Sequence, residues 1–365
     1  MNFKTKFWPN RSEKYDMGLW SVIALGIGSV VGAGIFALLG QVIMSAGYWT
    51  YGAFAVAGTA ALFSGYSYGE LAARYPDAGG LTDYFRRAFS CKCVSGTLSL
   101  IYMLTSAVSI SMMAKSFGIY FTALLKGTDY GWMTVNEFAA VLIVGLALLN
   151  MMSAGDVGRA EILLVTLKIL ILGSLIDAAA DVQHPKRTIR LGIYITILAV
   201  MALYMALAHV VLNFIPAADL EKNADTAVAV AADKLLGKWG YGLIYVAAVM
   251  AFVSGINATF FSIFRISRSL AEQGVLPKIY EKKFWKRGTY GNILTSAIVL
   301  LAAIFMDFSS IVNLSSGAYL VSYLGIFAAN WHLRRETGSS KILILAGFGL
   351  MLFILTAFIV SIAVG

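Results

Sequence analysis

Long uncharged apolar stretches recur along the whole of this sequence, and they constrain the fold more than any other feature. A bilayer core about 30 Å thick is crossed by about 20 apolar helical residues, and several stretches reach that length. Because lipid offers no hydrogen-bond partners to the backbone, each stretch must be helical. Only 13% of the 365 residues are charged and 59% are hydrophobic, whereas soluble domains are about a quarter charged. The sequence therefore predicts an all-α polytopic membrane protein with one integral domain.

Ten membrane spans are predicted after a polar tail at residues 1–17, which we expect to be cytoplasmic. The spans cover residues 18–43, 49–73, 94–125, 136–152, 160–176, 191–213, 240–267, 290–306, 311–333 and 341–364. The tail is not interpreted as a signal peptide, because no small-residue cleavage site follows the first apolar run. All seven Trp residues lie near span boundaries, where amphipathic rings favour the headgroup level.

Charge distribution reveals a mismatch between the two halves of the chain. With the N-terminus inside, the basic loop at 74–92 and the loop near Arg159 are inside, as the positive-inside rule requires. The next connector, Asp177 to Arg190, should then be outside, yet it carries three basic residues. Each half obeys the rule by itself. The sides assigned to the loops of the two halves agree only if one more membrane crossing lies between Ile176 and Asp177. An unrecorded stretch, a real deletion and a re-entrant arrangement would each explain the mismatch.

The first span contains a cluster of small residues in mid-membrane, Gly26-Ile-Gly28-Ser-Val-Val-Gly32-Ala-Gly34-Ile-Phe36. Glycine spacing alone fits close helix packing and a broken helix equally well. A helical pattern resumes after Gly34, which favours a break. A break exposes backbone N–H groups at the positive end of a half-helix, where a carboxylate can bind.

Lys168 lies about 14 Å deep in the fifth predicted span, at 1.5 Å per residue. An unpaired charged lysine there costs about 3 kcal/mol or more. Burial favours the neutral form, so Lys168 could gain and lose a proton with pH. We interpret it as a proton carrier, with a structural tether as the alternative. By contrast, Lys115 is predicted to be structural and His209 to be interfacial.

Several functional classes are excluded or disfavoured. The net charge of +9 is assigned to loops on one side of a membrane, not to a nucleic-acid surface. No nucleotide-binding loop, metal motif or nucleophile elbow is present, which disfavours an enzyme. Cys91 and Cys93 lie in a predicted cytoplasmic loop and are interpreted as ordinary thiols. Neither a metal nor a cofactor is expected.

These residues resemble the amino acid–polyamine–organocation superfamily, and within it the sodium-independent, proton-coupled amino-acid permeases. Besides the glycine cluster, the resemblance is carried by Tyr68-Gly-Glu70-Leu-Ala-Ala-Arg74-Tyr-Pro76-Asp-Ala-Gly79-Gly80, Val157-Gly-Arg-Ala-Glu161, His184-Pro185-Lys186-Arg187, Asn257-Ala258-Thr259 and Ala271-Glu-Gln-Gly274-Val-Leu-Pro277. It implies a five-plus-five inverted-repeat, leucine-transporter-like fold. The first repeat would span 18–176 and an incomplete second repeat 177–335, with an extra span at 341–364.

The resemblance also implies roles for individual residues. The amides near Ala33 and Gly34, beside Gly32, would bind the substrate carboxylate, and the Val30 carbonyl would help hold its ammonium group. The Lys168 amine would lie between the Gly28 carbonyl and the Ser254 hydroxyl, where sodium binds in sodium-driven relatives.

Two of the family's helices, the sixth and the twelfth, are missing from this pattern. The sixth should precede Ala178, where the charge pattern also fails, and it normally supplies half of the ammonium site.

The sequence thus predicts secondary active transport of amino acids across the inner membrane by alternating access. The proton gradient would drive it, and the partners would be an amino acid, protons and the lipid bilayer. An amino-acid or amine exchanger on the same fold and a truncated, non-transporting membrane protein are the alternatives. The sequence specifies neither the amino acid carried nor the oligomeric state.

Overall fold

The computed structural model describes residues 31–75, 80–125, 133–152, 185–285 and 288–364, together with Ile23 and Ile27. Within these ranges the chain is almost entirely helical. The α-helices are α1 (Ala33–Ala46), α2 (Thr50–Arg74), α3 (Leu81–Ala88), α4 (Lys92–Leu125), α5 (Val135–Met152), α6 (Pro185–Phe214), α7 (Ala217–Lys222), α8 (Ala227–Glu272), α9 (Tyr290–Phe305), α10 (Phe308–His332), α11 (Arg334–Thr337) and α12 (Lys341–Val364). Short 3-10 helices lie at Gly47–Trp49, Ala224–Thr226 and Lys278–Glu281, and β1 (Lys283–Trp285) pairs antiparallel with β2 (Gly288–Thr289).

The prediction of an all-α polytopic membrane protein is confirmed. Five described helical stretches are long and apolar enough to cross a bilayer, namely Lys92–Leu125, Arg190–Phe214, Ala224–Glu272, Phe308–His332 and Lys341–Val364. Two shorter apolar helices, Val135–Met151 and Tyr290–Phe305, accompany them. Helix α2 is also long, at 25 residues, but polar residues such as Ser67 and Glu70 make its inner half less apolar. The predicted span at 160–176 lies outside the described residues.

One predicted loop is largely helical. The span pattern leaves residues 214–239 as a long polar loop, which the positive-inside rule places outside. The structure instead has α7, a 3-10 turn and the first part of α8, which reaches Gly237 before its backbone leaves the helical region (φ +61°). The run Ala227-Val-Ala-Val-Ala-Ala232 explains this, because alanine has the highest helix propensity. The membrane-crossing part of α8 follows Gly237, close to the predicted start at residue 240.

Helix α4 lies at the centre of the bundle and packs against α5, α8, α9 and α10. Helix α2 packs along α6, and α12 packs against α10 and α2. A buried apolar cluster joins α1 to α4, α6 and α8 through residues such as Ile35, Leu39, Tyr120, Val211 and Phe252. A second cluster joins α4 to α5, α8 and α9.

The described Lys and Arg residues at helix ends are concentrated at one end of the bundle. We call this end the inner face, following the positive-inside rule. It carries the loops around Arg86, Arg268 and Arg334, whereas Lys222, Lys234 and Lys238 lie at the opposite, outer end.

Helices α5 and α6 both meet the inner face. Helix α5 starts at the outer end, where the Asn136 side chain donates to the Ile304 carbonyl at 3.3 Å, and it runs inward. Helix α6 starts at the inner end, where Arg190 pairs with Glu70 near the end of α2 at 2.6 Å. This placement agrees with the charge mismatch in the sequence. The 32 residues from 153 to 184 join two helices at one face, and they are fewer than the roughly 40 that two full helical crossings require.

Candidate functional site

The predicted break in the first span is present at Val31 and Gly32. The Val31 amide donates to the Ile27 carbonyl at 2.8 Å, which is helical spacing. Gly32 then leaves the helical region (φ −153°, ψ −136°), and α1 begins at Ala33. The first bond within α1 runs from the Phe36 amide to the Gly32 carbonyl at 3.4 Å. The amides of Ala33, Gly34 and Ile35 therefore have no partner within the helix, and no side chain in the described part of the chain is seen to cap them.

A tyrosine from α6 lies beside this helix terminus. Gly34 is exposed, and a Cβ placed on it would lie 3.8 Å from the Tyr204 hydroxyl. The Tyr204 ring is held edge-on to Phe54 of α2, with centroids 5.7 Å apart. Sequence reasoning missed Tyr204, because a tyrosine within an apolar helix is usually a packing residue. The N-terminus of α1 thus combines free amides, a positive helix end and a nearby hydroxyl, an environment that suits a carboxylate.

The outer half of α1 is held firmly. The Tyr120 hydroxyl of α4, fully buried, donates to the Phe36 carbonyl at 2.7 Å. Gly40 packs directly on the backbone of Ala224, since a Cβ on Gly40 would lie 2.1 Å from the Ala224 carbonyl oxygen. Gln41 donates to Asp225 at 2.7 Å. These contacts fix the direction in which the free amides point.

The described residues include about half of the predicted site. Gly32 and Gly34 are brought to the N-terminus of α1, and Ala33 is its first residue. Val30, Gly28 and Lys168 lie outside the described residues. Their predicted roles therefore stay predictions.

Ser254, the described member of the predicted coupling site, is buried in α8. Asn257, one turn further on, is also buried, and it accepts a hydrogen bond from the Asn150 side chain of α5 at 2.9 Å. Helices α5 and α8 are therefore joined by a polar contact close to Ser254. Sequence reasoning named Asn257 only within a motif and missed Asn150.

Two further predictions about polar residues are supported by their contacts. Lys115 is buried near the outer end of α4, and its ammonium donates to the Met306 carbonyl in the turn between α9 and α10. This contact fits a structural role. His209 lies at the outer end of α6 and shares a hydrogen bond of 3.1 Å with the Tyr51 hydroxyl, as an interfacial residue would.

Cys91 and Cys93 are free and exposed just before and within the start of α4. The backbone amides of Val94 and Cys93 hold the pKa of the Cys91 thiol below its ordinary value. Among the described residues, no group of three or more His, Cys, Asp or Glu side chains could hold a metal ion.

Comparison with known proteins identifies the family. A family model described as "Amino acid permease" matches residues 174–364, just over half of the chain, and a second model of that description matches residues 21–178. The chain belongs to the amino acid permease family. With its apolar helices, this membership makes it a multi-pass membrane transporter for amino acids and not an enzyme.

Similar proteins carry names that agree with this membership. The chain is 35% identical to "Inner membrane transport protein YbaT" of Escherichia coli (strain K12), over 94% of this chain and 90% of that protein. It is 24% identical to "Branched-chain amino acid permease BcaP" of Bacillus subtilis (strain 168), over 80% of this chain and 76% of that permease. It is also 24% identical to "Cationic amino acid transporter 3, mitochondrial" of Arabidopsis thaliana, over 83% of this chain and 59% of that transporter.

The match to the Escherichia coli protein also shows that this permease lacks internal residues that the relative has. That alignment is 388 positions long, which exceeds the whole 365-residue chain by 23. Only 94% of this chain, about 343 residues, lies in that alignment, so about 45 of its 388 positions have no residue of this chain, which is enough for one membrane helix and its connections. The two family matches meet at residues 174–178, where the charge pattern of this permease also fails.

Proposed function

We propose that this permease carries amino acids across the inner membrane by alternating access, driven by protons and independent of sodium. The observation that carries the proposal is the uncapped N-terminus of α1 at the break in the first span. Every amino acid has a carboxylate, and a half-helix N-terminus in mid-membrane is suited to bind it. Family membership and the name of the Escherichia coli relative support the cargo class and the membrane.

In this proposal the amides of Ala33 and Gly34, beside Gly32, bind the substrate carboxylate, and the Val30 carbonyl accepts from its ammonium group. Tyr204 lies close enough to Gly34 to add a hydrogen bond to the carboxylate. The first repeat spans 18–176 and the second 177–335, and the N-terminal tail is cytoplasmic. No cofactor is needed beyond the proton gradient.

Proton coupling is assigned to Lys168, between the Gly28 carbonyl and the Ser254 hydroxyl. A lysine at that depth is stable when neutral, or when charged and fully hydrogen-bonded. Protonation would therefore change how the first, fifth and seventh predicted spans pack together. The buried polar contact between Asn150 and Asn257 supports a polar environment near Ser254.

The test is uptake by the purified protein in proteoliposomes, with each of the twenty radiolabelled L-amino acids in turn. We expect at least one to accumulate under an inward proton gradient, to the same extent in sodium and in choline buffer. Lys168→Ala should abolish the dependence on the gradient, whereas Lys222→Ala, at an outer surface, should retain it. Full gradient-driven uptake by Lys168→Ala would rule out the role of Lys168. Uptake that requires amino acid preloaded in the vesicle would favour an exchanger.

A non-transporting membrane protein is the second candidate, because the relative has about 45 aligned residues that this chain lacks. Tryptic mapping by mass spectrometry tests it directly. A peptide from Ile169 to Lys186 with Ile176 joined to Asp177 would establish the deletion and favour the second candidate. A longer intervening stretch would instead favour the permease with a complete set of helices.

A further inference from the structure

Ser109 is bonded differently from most of the described hydroxyls of α4, although Ser111 also reaches another helix, at the Val299 carbonyl. Thr105, Ser106 and Ser116 each donate to a carbonyl one turn back on α4, which is the usual arrangement for hydroxyls in membrane helices. Ser109 instead bonds to two hydroxyls of α10. It lies 3.0 Å from the Ser315 hydroxyl and donates to the Tyr319 hydroxyl at 3.1 Å. Two helices can pack against each other without hydrogen bonds between hydroxyls. The contact of Ser109 with two hydroxyls of α10 is therefore not explained by packing alone.

The three hydroxyls form a directed chain. A serine hydroxyl has one proton, and Ser109 uses its proton on Tyr319, so Ser315 must be the donor to Ser109. The proton of Tyr319 then has no acceptor among the residues that the structure describes. An unsatisfied donor away from water is unfavourable, and so this hydroxyl calls for an acceptor. Ser109 and Ser315 are buried, whereas Tyr319 is partly accessible, so a small molecule could reach the end of the chain.

The chain of hydroxyls lies in the middle part of α4 and α10, on the inner side of the helix break. Ser109 is midway along α4, and Tyr319 is near the middle of α10. The bond between Tyr120 and Phe36 aligns α4 with α1. Ser109 lies 11 residues before Tyr120, and Gly32 lies 4 residues before Phe36. At 1.5 Å per residue, Ser109 is therefore about 10 Å nearer the inner face than the helix break.

Other tyrosine rings continue from Tyr319 toward the inner face. Tyr319 stacks on Tyr323, with centroids 6.2 Å apart. The Tyr102 hydroxyl is within electrostatic range of those of Tyr319, Tyr323 and Tyr68, and the Tyr68 ring meets Tyr84 of α3 edge-on. Tyr68 and Tyr323 are each 38% exposed, although α10 packs against both α2 and α4. We call these five residues the tyrosine patch. Its ring faces can attract an ammonium group by cation–π interaction.

We propose that Tyr319 and the tyrosine patch form a second, inner binding position for a zwitterionic amino acid. The substrate carboxylate accepts a hydrogen bond from the Tyr319 hydroxyl, which Ser109 polarises by donating to it. The substrate ammonium group lies against the ring of Tyr323. This position deepens the proposed transport function and rests on it, since it receives the amino acid after it leaves the N-terminus of α1.

Sidedness provides the test, because an inner position affects substrate arriving from the inner face. Uptake is measured with inside-out and right-side-out vesicles that contain the full chain. The probe is whichever of the twenty L-amino acids the wild-type protein takes up fastest. A lost hydrogen bond to a charged group weakens binding about tenfold or more. We therefore expect Tyr319→Phe to raise the inner-side KM about tenfold and to leave the outer-side KM within about twofold.

Two other variants make the result specific. Ser109→Ala should shift the inner-side KM in the same direction by a smaller factor, because Tyr319 keeps its own proton. Tyr280→Phe, which removes a buried hydroxyl from the 3-10 helix after α8, should change neither KM. The decarboxylated amine of the probe has no carboxylate to accept a hydrogen bond from Tyr319. Added from the inner side as a competitor, it should therefore inhibit uptake by the wild type and by Tyr319→Phe equally.

Each contrary outcome has a distinct meaning. If Tyr319→Phe has the wild-type KM on both sides, an ordered water satisfies the hydroxyl and the inner position is wrong. If KM rises equally on both sides, Tyr319 acts through the overall structure and the inner position is again wrong. If the wild-type protein takes up no amino acid from either side, the proposed transport function itself fails.

Discussion

The outer and inner ends of this helical bundle are held together by different kinds of contact. At the outer end, Gly40 of α1 lies directly against the Ala224 backbone, and Tyr120 donates to the backbone of α1. At the inner end, α6 is tied to α2 by the ion pair of Arg190 with Glu70. The stretch around α11 is tied to α2 through Glu336, whose carbonyl accepts from Arg74 at 3.1 Å and whose carboxylate accepts from Tyr75 at 2.6 Å.

At the contact of Gly40 with Ala224 shape determines the stability, whereas at the contacts of α2 with Arg190 and Glu336 charge does. A contact between two backbones cannot adjust to an added group, because the nearest atoms cannot rotate away from it. Charged side chains near water can separate and become solvated again at little net cost, provided that both do so. Rearrangement is therefore easier at the inner end than at the outer end. Substitutions that change one kind of contact at a time test this difference.

The largest effect is expected at Gly40. An added Cβ would lie 2.1 Å from the Ala224 carbonyl oxygen, so α1 and the outer segment must move apart. Overpacking of this kind costs about 3 kcal/mol, and we expect Gly40→Ala to lower the free energy of unfolding by that amount. Unfolding in mixed micelles containing SDS measures it. Gly349→Ala in α12 is the matched control, because a Cβ there meets nothing within 4 Å. Equal free energies of unfolding for the two variants would show that the close contact at Gly40 does not determine the stability of the outer end.

The ion pair at the inner end should give the next largest effect. The Glu70 side chain is only 9% exposed, so Arg190→Met would leave a nearly buried carboxylate without its partner. Because Arg190 itself is 42% exposed, we expect a loss of about 2 kcal/mol, below the range for fully buried pairs. The double variant Glu70→Gln with Arg190→Met should recover most of it. Arg268→Met, which breaks an exposed pair with Glu272, should cost about 0.5 kcal/mol or less. If the double variant is no more stable than Arg190→Met, the pair is not what holds α2 to α6.

A smaller effect is expected at Glu336. Glu336→Gln keeps the carbonyl that accepts from Arg74 but weakens the charge-assisted bond from the Tyr75 hydroxyl. Since Glu336 is exposed, we expect a loss of about 0.5 kcal/mol in the same unfolding measurement. Glu281→Gln is the control, because its carboxylate makes no hydrogen bond to the residues that the structure describes. A loss well above 1 kcal/mol would mean that charge at the inner end is less screened than its exposure suggests.

The sequence predicted features that follow from local composition. Apolar length located the described spans, and the glycine cluster located the break at Gly32. Charge counting placed the start of α6 at the inner face, and the Arg190–Glu70 pair agrees with this placement. The span and helix predictions succeed because the bilayer imposes length and helicity on each segment separately.

Other features could not be derived, because they depend on how distant segments meet. Glu70 and Arg190 are 120 positions apart, and Ser109 and Tyr319 are 210 apart. Tyr204 and Tyr319 have no local signal, since tyrosine occurs in apolar helices for packing as often as for binding. The helical part of 214–239 was missed because its overall polarity masked the alanine-rich run. A single sequence gives the face of each helix only roughly, and it gives no partner for that face.

The smallest effect concerns the thiol at the inner end of α4. The backbone amides of Val94 and Cys93 donate hydrogen bonds to the Cys91 thiolate, so the pKa of this thiol is lowered in the folded protein. In the Cys93→Ser variant, alkylation of Cys91 by iodoacetamide should therefore reach half its maximal rate below the pH of about 8.5 that is typical of a free thiol. The same measurement in denaturant should return the midpoint to the ordinary value. Because the lowered pKa favours the thiolate in the folded state, its slight contribution to stability is present above the unfolded pKa and is lost as pH falls. Identical midpoints in the folded and denatured protein would mean that the start of α4 does not stabilise charge, and the contrast between the two ends would then rest on the ion pair and Glu336 alone.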